Sequence, residues 1–364
     1  MRMRTYLLPL TALAASSLPT TTDSAAAAAA PLAAMIEEAK FSPCAADGGA
    51  ACVKPPMKYE RIAKSQPGYQ WDDNGGYCGS WAVQRATLAH GAWISQQQVR
   101  DHASPAPGAP ASHDNEILSS NIAEALKNLK LKAEGWDYAG QPAPQQPAYF
   151  KWLKAQLVAN HTVVWMIMWD GQQYPAYEMP LPAGVHGHVE PVVGIQSNHP
   201  LDTDAAVYDD DVFVHYTDGG VDSVYKVQET LSGSWSPPHG NAKCQSGSRY
   251  CIGPYSYGWA VQGFLDAAHG EDALPLSLKV DPWQREPDFR QHEAPIHLSG
   301  TVTAERLSAG AQYDIYRWDS VGDAFTYDAQ FRITSFNATA DTFVFKDPKA
   351  FMNNGTVYYR CVGR

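Results

Sequence analysis

Cys78 stands in the run Asn74-Gly75-Gly76-Tyr77-Cys78-Gly79-Ser80-Trp81, a glycine-rich turn that leads into helix-forming residues. A thiol attacks as the thiolate, and a helix N-terminus favours that form through unpaired N–H groups and the positive end of the dipole. The glycines let the backbone bend tightly enough to present the side chain there. Such a nucleophile needs a base. His188 opens the apolar run Val189 to Ile195, and a second strand-like run, Val212 to Tyr216, ends close to Asp218. An early cysteine, a later histidine and a final carboxylate form an arrangement for thiol-based acyl transfer, the carboxylate fixing the imidazole tautomer. His186 is the alternative base. Asp209, Asp210, Asp211 and His215 compete with Asp218, although the triple aspartate reads as a solvated turn, with a calcium site as the other reading.

The elements that must position these residues follow from periodicity. Residues 78 to 91 can form a helix, with Trp81, Leu88 and the alanines on a buried face and Gly91 ending it. Ser95 is a good N-cap for a helix over 96–102. Leu118, Ile122, Ala125, Leu126 and Leu129 recur at helical spacing behind Asp114, a possible cap, and Phe150, Leu153 and Leu157 mark another helix over 149–158. Strand-length apolar runs then cover 163–169, 189–195, 212–216 and 257–265. Helices first and strands second is an α+β pattern. From about residue 280 the texture is strand and turn, with runs at 298–302, 312–318, 331–336 and 357–359. The predicted organisation is a catalytic domain over 66–275 and a β-sandwich module over 280–364 that folds separately and does no chemistry.

The chain has 364 residues, with 27 lysines and arginines against 38 aspartates and glutamates, a net charge of -11. That balance argues against nucleic acid and anionic membranes as partners. Arg2 and Arg4, the apolar stretch from Tyr6 to Leu13 and the small residues after it read as a secretory signal within residues 1–20. A low-complexity, loop-rich lead-in follows over 21–65. Past the signal no apolar run is long enough to span a membrane, so a secreted protein is expected. Cys44 with Cys52 and Cys244 with Cys251 could each close a short loop, leaving Cys78 and Cys361. A Cys78–Cys361 bridge is the structural alternative to a catalytic thiol. No Cys/His set has zinc-finger spacing and no glycine-rich phosphate loop occurs, so neither metal nor cofactor is expected.

Tyr77-Cys78-Gly79-Ser80-Trp81-Ala82, followed by Ile94-Ser95-Gln96-Gln97-Gln98-Val99, resembles the papain-like cysteine peptidases. Gly187-His188-Val189-Glu190-Pro191-Val192-Val193-Gly194 is similar to that family's histidine-bearing strand, and Cys-Gly opening a helix is also the pattern of its C39-like branch. The resemblance covers roughly residues 66 to 270. It implies a papain-like fold, hydrolysis of peptide or amide bonds, a peptide or protein substrate, and a Cys78–His188–Asp218 triad. It also implies an oxyanion-hole carboxamide, for which Gln70 and Asn74 are the candidates. The chain departs from the papain motif at Ser80, which takes the place directly before tryptophan, and at Thr217-Asp218-Gly219-Gly220, which lacks the family's Ser-Trp-Gly. Acyl transfer or transamidation on the same site, and a non-catalytic peptidase-like binding protein, remain the alternative readings.

Overall fold

A computed structural model describes residues 57–71, 76–105, 115–136, 141–142, 145–170, 185–216, 222–226, 250–251, 258–270, 273–282 and 295–364. In chain order, strand β1 (Tyr59–Ile62) precedes helix α1 (Cys78–Leu88), strand β2 (Ala92–Ile94), helix α2 (Gln96–Asp101), helix α3 (Ile122–Asn128), strand β3 (Leu131–Gly135) and helix α4 (Gln145–Val158). Strands β4 (Thr162–Asp170), β5 (Val185–Ser197), β6 (Val212–Tyr216), β7 (Asp222–Lys226), β8 (Tyr250–Cys251) and β9 (Gly258–Phe264) follow. The last stretch holds β10 (Leu276–Asp281), β11 (His297–Glu305), β12 (Gln312–Trp318), β13 (Arg332–Asn337), β14 (Thr342–Lys346), β15 (Phe351–Met352) and β16 (Thr356–Gly363). The architecture is mixed α+β, and its sheets are antiparallel.

The central sheet runs β3-β9-β4-β5-β6-β7, with β1 pairing on β5 and β8 on β4. Its middle strands are buried on both faces, which is why 189–195 reads as a nearly continuous apolar run rather than an alternation. One face carries α1: Trp81, Ala82, Val164, Val189, Val193 and Val214 share a core. The other carries α4: Tyr149, Phe150, Leu153, Val163, Trp165, Val192 and Phe213 form a second core.

Helix ends differ in places from their sequence expectations. Ser95 caps α2 as its residue type predicts, its hydroxyl accepting from the Gln98 N–H at 3.1 Å. Helix α3 starts at Ile122 rather than near Leu118. The Asn121 side chain braces the preceding loop instead, donating to the carbonyls of Ser104 and Glu116 and accepting from Leu118 N–H.

Residues 280–364 are not set apart from the rest. Two further sheets run β10-β11-β14 and β13-β12-β16-β2, so β2, directly after α1, is paired with β16 through Ala92–Tyr358 and Ile94–Thr356. Tyr316, Trp318, Tyr358 and Val362 lie in the same core as Cys78 and Trp81, while Leu88 and Trp93 lie in the core between the two C-terminal sheets. The physical reason is that β2 is only three residues long. It completes a sheet that the C-terminal strands supply, and texture along the chain cannot reveal a pairing across 260 residues, such as Trp93 Nε1 donating to the Asn353 carbonyl at 3.0 Å.

Candidate functional site

Cys78 is the first residue of α1, and every residue of that helix is buried. The turn before it is fixed from several sides. Gly76 has φ of 69°, a left-handed conformation that glycine adopts without steric cost. The Tyr77 carbonyl accepts from Trp81 N–H at 2.8 Å, closing the first helical turn. The Tyr77 hydroxyl donates to Gln97 at 2.8 Å, and the Arg100 guanidinium lies 3.4 Å over its ring. Gly79 is required by close approach, since a Cβ there would sit 2.7 Å from the Ile117 carbonyl oxygen. Cys78 itself is 8% exposed and free. Cys361 is also free, which removes the bridging alternative; it sits in the C-terminal core, where burial pushes its thiol up to about 12.

Gln70 is buried, on a segment laced to the start of α1 and to α2. Trp81 Nε1 donates to the Gly68 carbonyl at 3.0 Å. Gln96 clasps the backbone on both sides of Gln70, accepting from Trp71 N–H at 3.0 Å and donating to the Tyr69 carbonyl at 2.9 Å. Arg85 reaches the Pro67 carbonyl at 3.1 Å. The Gln70 Oε1 has no hydrogen-bond partner among the described residues. The carboxamide is therefore carried on a pinned strip of chain whose anchor, Trp81, lies one turn along α1 from Cys78.

His188 lies near the start of β5, next to exposed Gly187 and with only 4% of its own surface accessible. Glu190 and His215 are fully buried beside it. His188 Nε2 is 3.8 Å from Glu190 Oε1, and His215 Nδ1 is 2.7 Å from Glu190 Oε2. The register explains the grouping. Glu190 is opposite Trp165, and Val192 is opposite both Val163 and His215, so His188, Glu190 and His215 share the α4 side of the sheet with Trp165. Val189 and Val193 face α1. Cys78 and His188 thus sit on elements that pack together, while side-chain alternation turns His188 to the opposite face from Val189.

Asp218 and Asn74 lie outside the described residues, as do Cys44, Cys52 and Cys244; of Cys251 only the backbone, in β8, is described. The side chain of His186 is likewise outside them. Asp211 departs from the solvated-turn expectation. It is fully buried, 3.1 Å from the equally buried Lys154 Nζ, and accepts from Tyr208 N–H, because Lys154 of α4 needs a counter-charge. Glu190 was the residue that pattern reading passed over. Its signal is a carboxylate inside a strand otherwise made of apolar residues, a position that is costly unless charged partners surround it.

No known family profile matches the chain, and no curated protein matches it. Among solved structures, a clostridial cysteine protease, Cwp84 after propeptide cleavage, is similar at 11% identity over 82% of this chain and 81% of that one. The TM-score is 0.26, too low to define a common fold.

Proposed function

We propose that this protein is a secreted thiol hydrolase that cleaves peptide or amide bonds, with Cys78 as nucleophile and His188 as base. The observation that carries the reading is a free cysteine at the first position of a buried helix, packed on the strand that bears a buried histidine. The helix terminus supplies N–H groups and dipole to a thiolate. Helix α1, which opens at Cys78, packs on β5, the strand that carries His188, through Val189 and Val193. In the reaction the Cys78 sulfur attacks the carbonyl carbon, and Gln70 or Asn74 donates to the developing oxyanion. The C–N bond then breaks and the amine leaves with the proton that His188 took from the thiol. Water, deprotonated by His188, attacks the thioester; the C–S bond breaks and the proton returns to sulfur.

The test is turnover of a fluorogenic peptide mixture by the full chain, with Cys78→Ala, His188→Ala and His186→Ala alongside. Activity should fall by several orders of magnitude in the first two and persist in the third. Hydrolysis unchanged in Cys78→Ala overturns the reading. Peptide joining to an added amine in place of release to water would assign transamidation to the same thiol.

A further inference from the structure

We infer that Glu190 is the residue that orients His188, and that His215 locks Glu190 in place. The inference rests on the reading of Cys78 and His188 as nucleophile and base. Each carboxylate oxygen has a different ring nitrogen within ion-pair distance: Oε1 with His188 Nε2 at 3.8 Å and Oε2 with His215 Nδ1 at 2.7 Å. The three side chains come from two neighbouring strands and are at most 4% exposed. His188 and Glu190 are two residues apart on β5, so the pleat itself keeps them on one face, and no loop has to move to bring them together.

Burial of a carboxylate costs several kcal/mol unless partners compensate it. An apolar residue would fill position 190 at no such cost, since Val192 fills the next inward position of the same strand and is buried too. A buried carboxylate flanked by two imidazoles is a device for fixing tautomers and for balancing a positive charge when one ring is protonated. Its direction matters. With Nε2 turned toward Glu190, the carboxylate favours the tautomer of neutral His188 that carries its proton on Nε2. Once the ring holds a second proton, the Glu190 charge stabilises the imidazolium. The 3.8 Å separation is long for a hydrogen bond, and such contacts shorten when substrate or charge arrives. His215 cannot take the role of base. Its ring is fully buried, beside Trp165 at 6.2 Å between centroids, with Nδ1 2.7 Å from Glu190 Oε2. Glu190 and His215 are therefore positioning residues.

The experiment compares the full chain with Glu190→Gln, Glu190→Asp, His215→Gln, His188→Ala and Cys78→Ala. It measures kcat and KM on a fluorogenic peptide, thermal midpoints, and histidine ring tautomers by 15N NMR. Glu190→Gln should lower kcat by about 10²–10⁴, the range of a positioned acid–base group, with KM changed by less than about twofold. Glu190→Asp should recover part of that loss, and His215→Gln should cost less than Glu190→Gln. In the parent chain the neutral ring of His188 should be protonated at Nε2, a readout that needs neither a variant nor a substrate. An Nδ1-protonated His188 overturns the inference, as does a folded Glu190→Gln protein whose kcat stays within about threefold while His188→Ala is inactive. In both of those cases the thiol mechanism stands. Activity unaffected by Cys78→Ala instead removes the underlying reading.

Discussion

The indole N–H of Trp81 and the carbonyl oxygen of Gly68 are joined by a 3.0 Å hydrogen bond, and that bond ties the segment carrying Gln70 to the first turn of the cysteine helix. Trp81 is completely buried, so the Gly68 carbonyl has no water to fall back on if the indole is removed. Trp81→Phe should cost about 1–3 kcal/mol from the orphaned carbonyl, more if the lost ring volume leaves a cavity. Urea denaturation measures the stability. If Gln70 assists the reaction, kcat should drop beyond what the stability loss accounts for.

Gly79→Ala places a methyl group 2.7 Å from the backbone oxygen of Ile117, which cannot rotate away. Overpacking of that kind typically costs about 1–3 kcal/mol. Because the strain falls next to Cys78, thiol alkylation by iodoacetamide should also change in rate. A variant as stable as the parent chain would show that the Ile117 loop yields freely.

The two described free thiols should behave differently in the native protein. Iodoacetamide should label Cys78, at the helix terminus, and spare Cys361, whose buried thiol is pushed up to about 12. Peptide mapping after alkylation near neutral pH reads both sites at once. Labelling of Cys361 ahead of Cys78 would contradict the assignment of the reactive thiol.

His90 should make stability depend on pH. Its ring nitrogen Nε2 is 3.0 Å from the Val261 carbonyl, and burial pushes it down from its ordinary 6.5 to about 4. The folded state therefore holds it neutral where the unfolded chain takes up a proton. Stability from this group is complete above about 6.5, falls as pH drops toward about 4, and levels off below. Thermal midpoints of the parent chain and His90→Gln across that window should converge as pH falls. Parallel curves would remove His90 from the account.

A chain ending at Leu278 should fail to fold cooperatively. It lacks Trp318, Tyr358 and Val362 from the core that holds Cys78, and it lacks the β16 partner of β2. The Tyr358 hydroxyl also donates to the Leu129 carbonyl at 3.0 Å, behind α3. Calorimetry should show no sharp transition. A cooperative transition with intact Cys78 labelling would restore the picture of an independent C-terminal module.

The sequence was most readable where chemistry and periodicity are local. The Gly-Gly-Tyr-Cys-Gly run marks a helix start at Cys78, Ser95 marks another, and 212–216 and 312–318 are strands at those bounds. Strands β2, β3 and β14 escaped notice because they are short or half-exposed and depend on distant partners. The pairing of His188 with Glu190 was in plain view, two residues apart, yet its meaning required the register of β5 against β6, which brings His215 to the second carboxylate oxygen. Local pattern picks out His188; only the sheet register shows which side chains surround it.

The pairing of β16 with β2 also sets an order in time. A ribosome releases α1 and β2 long before residues 356–363, so during synthesis the cysteine helix lacks the strand that completes the neighbouring sheet and the aromatic wall behind it. Contacts this far apart form late, after the whole chain is available. The surroundings of Cys78 are therefore completed only after residues 356–363 have been made. Timing is thus built into the topology: the strand made late is the one that completes the wall behind α1.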